Sequence, residues 1–182
     1  MKLLKDILYK VRIEEVVGNT HIATEGMTMD SRAVRPFHLF AAIRGFNQDG
    51  HLFIEKAIAS GANCIVCEHL PETLSGDVTY VRVQDSGEAL GIIAANYFDN
   101  PSEKIKVVGV TGTNGKTTVA TLMYELSEAL GKKAGLLSTV VNKIHHQSIP
   151  STHTTPNAIE LQKLLSQMVE AGCEYAFMEV SS

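Results

Sequence analysis

The chain has 182 residues, of which 16 are lysine or arginine and 20 are aspartate or glutamate, so its formal net charge at pH 7 is −4. Apolar residues make up 45% of the sequence and charged residues 20%, which is typical of a globular protein and unlike disordered, collagen-like or coiled-coil chains. At about 100–150 residues per domain, this length allows one large domain or two small ones. The acidic excess lies in residues 1–100, so we expect neither nucleic acid nor a membrane surface as a partner.

Three cysteines, an odd number, do not form a disulfide framework and are typical of a reducing compartment. Cys64 and Cys67 spell C-x-x-C, but they lie in the apolar run 63–67, which predicts a strand. Residues three apart on a strand point to opposite faces, and no second cysteine pair completes a zinc site. The segment 1–8 predicts a short amphipathic helix, and no stretch has the ~20 apolar residues of a membrane span. We therefore expect a soluble, cytoplasmic protein whose cysteines are structural.

Residues 1–100 predict a small mixed α/β domain. One helix is expected to begin near Asp49 and to end at Gly61, with an inner face of Ile54, Ala57 and Ile58. Asp85 and Glu88, three apart, resemble a capping box that opens a second helix with an inner face of Leu90, Ile93, Ala94 and Tyr97. Strands are expected at residues 27–30, 39–43, 63–67 and 79–83. An Asn-Pro turn within residues 98–103 then divides the chain into domains 1–100 and 101–182.

Residues 101–182 follow the order strand–helix–strand–helix–strand. Strands are expected at residues 105–110, 134–141 and 174–180. The first helix has an apolar stripe that is expected to face the core, formed by Val119, Leu122, Met123, Leu126 and Leu130. Thr155 and Pro156 offer a cap and a first-turn proline to the second helix. Apolar strands that alternate with helices imply a parallel sheet with right-handed crossovers, the first part of a P-loop α/β domain.

A glycine-rich segment between the first strand and the first helix of this domain carries the strongest functional signal. Its residues are Gly112, Thr113, Asn114, Gly115, Lys116, Thr117 and Thr118. Glycines let backbone N–H groups turn toward one phosphate, and the helix N-terminus adds partial positive charge there. Lys116 can reach the β- and γ-phosphates, and the Thr117 hydroxyl suits Mg²⁺. Val110 occupies the first glycine position of the strict phosphate-loop spacing, so a glycine-rich turn with a solvated lysine is the alternative.

Glu179 is the expected partner for the metal ion. It lies at the carboxyl end of the third strand, where ligands bind in open α/β sheets, and a strand-end acid holds Mg²⁺ in P-loop enzymes. The alternative for Glu179 is a solvated acid at a strand end. His145 and His146 match no motif, and we expect them in a solvated loop.

Several strings together resemble one family. Residues 109–118 are similar to the ATP loop of the Mur ligases, which share this variant loop with folylpolyglutamate synthases. Asp30-Ser31-Arg32, residues 39–45 and Asp49-Gly50-His51 resemble the uridine-nucleotide domain of the third and fourth Mur ligases. Thr154-Thr155-Pro156 and residues 178–182 are similar to the third ligase in particular. The resemblance covers essentially the whole chain.

The resemblance implies a role for each matching residue. The uridine part of the substrate would contact Ser31, Arg32, Phe46, Asn47 and Gln48. The ATP would lie on residues 112–118. The muramoyl-peptide part would contact Thr154, Thr155 and Ser181. Catalysis would use Lys116 and Glu179, and Mg²⁺ would bind Thr117 and Glu179.

The implied reaction is ATP-dependent amide formation in peptidoglycan precursor synthesis. A substrate carboxylate attacks the γ-phosphate, and the incoming amine displaces phosphate from the resulting acyl phosphate. The substrates would be UDP-MurNAc-L-Ala-D-Glu and a diamino acid, either meso-diaminopimelate or lysine. The family pattern continues beyond Ser182, so we expect the chain to be an amino-terminal portion that is inactive alone. A ligase of the fourth type and a free-standing nucleotide-binding module remain the alternatives.

Overall fold

The computed structural model describes residues 1–45, 48–150 and 156–180. The chain forms two compact units, Met1–Tyr97 and Phe98–Ser182, and each unit has its own five-stranded sheet. Within the described residues, no helix combines the length and the apolar character needed to cross a membrane. The α/β class expected from the sequence is confirmed in both units.

Among its described residues, the first unit contains seven strands and three α-helices. In chain order these are β1 (Lys2–Leu3), α1 (Leu4–Ile7), β2 (Ile13–Val17), β3 (Ala23–Thr24), β4 (Gly26–Thr28), β5 (His38–Ala41), α2 (Ile54–Ala59), β6 (Ala62–Cys67), β7 (Thr79–Val83) and α3 (Ser86–Tyr97). The larger sheet has the order β2-β7-β6-β5-β4, in which β4 to β7 are parallel and β2 is antiparallel to β7. The strands β1 and β3 form a separate antiparallel pair.

The central strand β6 explains why the cysteines are structural. It is hydrogen-bonded to β5 and β7 on its two sides, and Cys64 and Cys67 are both buried and free of disulfides. Burial raises the pKa of the Cys64 thiol and raises that of Cys67 to about 11. Both thiols therefore stay protonated at neutral pH and act as small apolar side chains, as the sequence predicts.

Helix capping in this unit largely follows the sequence. Asp49 accepts a hydrogen bond from the His51 amide, but the first turn, Gly50–Phe53, is a 3-10 helix that precedes α2. Asp85 accepts from the Glu88 amide at 2.8 Å and caps α3, as expected. The expected helix over residues 1–8 is too long, because Lys2 and Leu3 instead pair with β3 and only Leu4–Ile7 is helical.

Among its described residues, the second unit contains five strands and two α-helices, preceded by a short 3-10 helix at Pro101–Glu103. They are β8 (Lys106–Val110), α4 (Lys116–Ala129), β9 (Ala134–Leu137), β10 (Val141–Ile144), β11 (Gln147–Pro150), α5 (Ala158–Glu170) and β12 (Tyr175–Glu179). The sheet order is β11-β10-β9-β12-β8, and β12 is parallel to both of its neighbours. Helix α4 packs with Ala120 and Tyr124 on one face of the sheet beside Leu136 and Phe177. Helix α5 packs with Leu165 and Met168 beside the alternating residues Leu137 and Ala176.

Three sequence predictions for this unit are wrong in detail. The expected strand 134–141 is two antiparallel strands, because the Ser138 hydroxyl accepts from the Val141 amide and donates to the Val141 carbonyl, which reverses the chain. The sheet is therefore mixed rather than wholly parallel. The cap of α5 is Asn157, which accepts from the amides of Ile159 and Glu160, and not Thr155, which lies outside the described residues.

The apolar stripe predicted for α4 is the third error. The buried face of α4 is formed by Ala120 and Tyr124. Of the five residues predicted to face the core, Met123 packs against it. The other four are exposed: Val119, Leu122, Leu126 and Leu130. A small alanine one turn before a large tyrosine lets the helix lie close to the sheet. The apolar arc of α4 is thus wider than the surface it covers.

Candidate functional site

The segment 111–115 joins the end of β8 to the start of α4. Gly112 and Gly115 have φ angles of 146° and 79°, in the region of backbone conformations that favours glycine. Gly115 is the N-cap of α4, and a Cβ placed on it would meet nothing within 4 Å. Because glycine offers the first amides of the helix no side-chain acceptor, this end of α4 is suited to an anion from outside the chain.

Lys116 lies over this segment. Its Nζ donates to the carbonyl oxygen of Gly112 at 2.7 Å, which folds the side chain back across the glycine-rich turn. Thr113 and Asn114 are exposed on the turn, and Thr118 is exposed in the first turn of α4. The ammonium group and the amino end of α4 therefore place positive charge on one side of the turn, as phosphate binding requires.

Glu179 lies at the carboxyl end of β12 and gathers donors from two other parts of the unit. The Thr117 hydroxyl donates to its Oε2 at 2.9 Å. The amide and the hydroxyl of Thr139 both lie 3.2 Å from the same oxygen. Since β12 is parallel to β8 and β9, the ends of three strands bring these groups together.

The pKa of Glu179 is lowered by this environment. Burial alone would raise it, but the Thr139 amide, the hydroxyls of Thr117 and Thr139 and the charge of Lys116 together outweigh burial. The carboxylate is therefore ionised at neutral pH. One carboxylate and two hydroxyls form an all-oxygen donor set, which fits the ligand preference of Mg²⁺.

Thr139 is a functional candidate that the sequence reasoning missed. It follows β9 after only two residues, inside the run that reads as one uninterrupted strand. The available signal was the polar pair Ser138-Thr139 within an otherwise apolar stretch. A strand-end position for that pair would have put Thr139 at the same edge of the sheet as Glu179.

In the first unit, Asp30, Ser31 and Arg32 form a tight turn after β4. Ser31 is 7% exposed, whereas the Arg32 guanidinium is exposed and binds both oxygens of Asp30, at 2.9 and 2.8 Å. The hydrogen bonds from Arg32 lower the pKa of Asp30 to about 2. The turn is thus held by its own charges, with the Arg32 side chain directed outward.

The second candidate segment of this unit follows β5. The Gly45 amide donates to the Gln48 carbonyl at 3.0 Å, and Gln48 is exposed. Phe46 and Asn47 lie outside the described residues, as do Thr154, Thr155 and Ser181 of the second unit. Of the five expected uridine contacts, the structure therefore describes Ser31, Arg32 and Gln48.

His51 is a further residue whose role the sequence reasoning left open. Its Nδ1 lies 2.6 Å from the Asp49 carboxylate, and its Nε2 accepts from the Glu68 amide at 2.9 Å. Because Nε2 is an acceptor, the proton of the neutral ring is on Nδ1 and points to Asp49. The Asp-Gly-His string therefore ties the turn after residue 48 to the end of β6.

Two family descriptions match the chain, one in each unit. Residues 23–98 match "Mur ligase family, catalytic domain" and residues 110–182 match "Mur ligase middle domain". The chain belongs to the Mur ligase family. The second match begins at Val110, immediately before the glycine-rich turn, and it includes Lys116 and Glu179.

Individual Mur ligases extend this comparison. The UDP-N-acetylmuramoyl-L-alanyl-D-glutamate–2,6-diaminopimelate ligase of Phocaeicola vulgatus is 49% identical over 182 residues, all of this chain and 37% of the relative. The chain thus spans little more than a third of the length of that relative. A solved structure with the same enzyme name has a TM-score of 0.78 and 22% identity, over 99% of this chain and 36% of that one. A MurF ligase from Thermotoga maritima in complex with ADP has a TM-score of 0.58 and 26% identity, over 87% and 32%.

Proposed function

We propose that this chain supplies the substrate-binding and nucleotide-binding parts of a ligase that joins 2,6-diaminopimelate to UDP-MurNAc-L-Ala-D-Glu, using ATP. The observation that carries the proposal is the convergence of Thr117 and Thr139 on Glu179 beside the uncapped amino end of α4. The name of the 49% identical relative supports diaminopimelate over lysine as the amine. ATP and UDP-linked precursors are cytoplasmic compounds, so we expect the protein to act in the cytoplasm.

In this proposal, residues 101–182 bind ATP. The backbone of residues 112–118 surrounds the phosphates, and Lys116 leaves the Gly112 carbonyl to contact the β- and γ-phosphate oxygens. The similar solved structure of a MurF ligase in complex with ADP supports the proposal that a protein of this fold binds a nucleotide. Because the amino end of α4 is already formed before binding, it stabilises negative charge without reorganisation, and the Lys116 ammonium adds its charge once it turns from the Gly112 carbonyl to the phosphates.

Thr117 and Glu179 are the proposed metal ligands, with Thr139 beside them. Mg²⁺ bound there would offset the negative charge that the phosphates carry. The lowered pKa of Glu179 keeps its carboxylate ionised and able to bind a cation. The hydroxyl of Thr139 holds the carboxylate in place, so Thr139 is a positioning residue in this account.

The proposed reaction makes an amide from a carboxylate, which is a poor acyl donor at neutral pH. The substrate carboxylate attacks the γ-phosphorus and forms an acyl phosphate, and ADP leaves. The amine of the diamino acid then attacks the acyl carbon, and inorganic phosphate leaves. The contribution of Lys116 is to stabilise the charge on the transferring phosphoryl group.

We assign residues 1–100 to the UDP-MurNAc substrate. Ser31 and Arg32 lie in the turn after β4, and Gln48 lies in the turn after β5, and these residues are proposed to contact the uridine part. Phe46 and Asn47 are also proposed to contact the uridine part. Thr154, Thr155 and Ser181 are proposed to contact the muramoyl-peptide part.

The nucleotide part of the proposal is tested by calorimetric titration of the purified protein with ATP and Mg²⁺. Lys116→Ala should weaken binding at least about tenfold, because a hydrogen bond to a charged group contributes about 1.5–3 kcal/mol. The matched control is Lys132→Ala, since Lys132 lies beyond the other end of α4 and pairs with Glu174 at 3.0 Å. Unchanged ATP affinity in Lys116→Ala would contradict the assignment of this turn.

The substrate part is tested by a second titration with UDP-MurNAc-dipeptide and UDP-MurNAc-tripeptide. A ligase of the proposed type binds the dipeptide more tightly. A preference for the tripeptide would instead assign the chain to the MurF type, which the solved structures include as a neighbour with a TM-score of 0.58.

A further inference from the structure

The turn between β10 and β11 consists of two adjacent histidines. Ile144 pairs with Gln147 across the hairpin, so His145 and His146 form the two-residue turn. His145 has a φ of 51°, in the left-handed region. Neighbouring residues in an extended chain point to opposite faces, but here the two rings lie together, with centroids 3.7 Å apart.

Both imidazoles are directed at the carboxylate of Glu128, in the last turn of α4. The Nδ1 of His145 lies 3.0 and 2.8 Å from the two Glu128 oxygens, and the Nδ1 of His146 lies 3.6 Å from Oε2. One ligand atom from each of the three residues lies within 4.8 Å of the other two. Among the described residues, this is the group of histidine, cysteine and acidic side chains close enough to share a metal ion.

The surrounding backbone holds this group in position. Glu128 has a side chain only 12% exposed and accepts from the Ala134 amide at 2.7 Å. The His145 amide donates to the Ala134 carbonyl at 2.9 Å, and the Tyr124 hydroxyl donates to the His145 carbonyl at 2.7 Å. A single histidine would be enough to pair with Glu128. The second histidine, His146, has a side chain 75% exposed and needs another reason to face the same carboxylate.

We propose that Glu128, His145 and His146 bind a divalent transition-metal ion of the Zn²⁺ class. Two imidazole nitrogens and one carboxylate oxygen suit such ions better than Mg²⁺, which prefers oxygen ligands. Tetrahedral Zn²⁺ with bonds of about 2.0–2.1 Å holds its ligand atoms about 3.3 Å apart, and the distances from Glu128 to the two rings lie on either side of that value. The exposure of His146 leaves solvent to supply the fourth ligand.

The position of this site separates it from the proposed ATP site. Lys116 and Glu128 lie twelve residues apart on α4, so about 18 Å of helix separates the two groups. A metal ion bound at Glu128 joins the carboxyl end of α4 to the β10–β11 hairpin. Its effect is therefore on the stability of the second unit rather than on phosphate binding.

The test is a calorimetric titration of the purified protein with zinc chloride, together with its thermal unfolding and the visible spectrum of bound Co²⁺. Glu128→Gln keeps an acceptor for the Ala134 amide, and His146→Ala removes an exposed ring, so both variants should fold. We expect one ion per chain, a rise in the unfolding temperature and loss of about tenfold or more in affinity in each variant.

The matched control is His21→Ala, which removes an exposed histidine of the first unit and should leave zinc affinity unchanged. Lys116→Ala should also leave it unchanged, which separates failure of this site from failure of the ATP assignment. The proposal is overturned if zinc does not saturate a single site, or if the Glu128 and His146 variants bind zinc as the unaltered protein does.

Discussion

The two ends of helix α4 make opposite use of the same element. At the amino end, Gly115 leaves the first amides without a side-chain acceptor, and the Lys116 ammonium donates to the Gly112 carbonyl. At the carboxyl end, Glu128 is held by the Ala134 amide and by His145, and Tyr124 holds the His145 carbonyl. The first end is open to a phosphate ligand, whereas the second is already bound to its own hairpin, and the proposed metal ion would add to that link.

The two ends also differ in how far apart in the sequence their residues lie. Gly112 to Thr117 are consecutive residues, so the phosphate turn is assembled locally. Glu128 and His145 are seventeen residues apart and meet only because β10 runs back beside β9. Binding at the amino end therefore depends on backbone conformation, whereas the carboxyl end depends on tertiary packing.

Among the substitutions that test this difference between the two ends, the largest loss of stability is expected at Tyr124. Its side chain is buried against the sheet, and its hydroxyl reaches the hairpin. Tyr124→Ala should lower the free energy of unfolding by about 3 kcal/mol or more, because it leaves a cavity as other large aromatic deletions do. Tyr124→Phe removes only the hydrogen bond and should cost about 1 kcal/mol. Urea unfolding of the two variants measures both values, and equal losses would show that the hydroxyl rather than the packing holds this end.

A smaller but more selective effect is expected at the two glycines that flank α4. Gly115 and Gly131 have φ angles of 79° and 75°, and a Cβ at either meets nothing within 4 Å. Replacement by alanine should cost each variant about 1 kcal/mol of stability for the left-handed backbone. Only Gly115→Ala should also weaken ATP binding, since it alone alters the phosphate turn.

Denaturant unfolding and ATP titration of this pair provide the check. Gly131→Ala is the matched control, with the same backbone cost at the opposite end of the helix. Equal ATP affinities in the two variants would mean that the amino end of α4 has no special part in binding phosphate.

The local features of the fold could be predicted from the sequence. The strand 79–83 and the Asp85 cap agree with β7 and α3, since each depends on a few adjacent residues. The Lys116 turn and the strand-end position of Glu179 follow from motif and periodicity in the same way. The sequence pattern predicts where these residues lie but not which ligand they bind, so their roles in binding stay predictions.

The features that were missed depend on contacts distant in the sequence. Val119 and Leu126 have helical spacing but face outward, because Ala120 and Tyr124 set how α4 lies on the sheet. The antiparallel turn between β9 and β10 was missed because Ser138 reverses the chain inside a run that looks continuous. His145, expected in a solvated loop, contacts Glu128 for the same reason.

Glu179, held by Thr117 and Thr139, is the proposed meeting point of Mg²⁺ and ATP. The most direct test is calorimetric titration of ATP with and without Mg²⁺ into the protein, Glu179→Gln and the exposed control Glu174→Gln. We expect Mg²⁺ to strengthen ATP binding to the unaltered protein and to the Glu174→Gln control. In Glu179→Gln, binding in the presence of Mg²⁺ should be weaker by about tenfold or more. The metal-free affinity should be no weaker than that of the unaltered protein, because the substitution removes a negative charge near the phosphates. If Mg²⁺ strengthened ATP binding to Glu179→Gln as much as to the unaltered protein, Glu179 would not be the metal ligand.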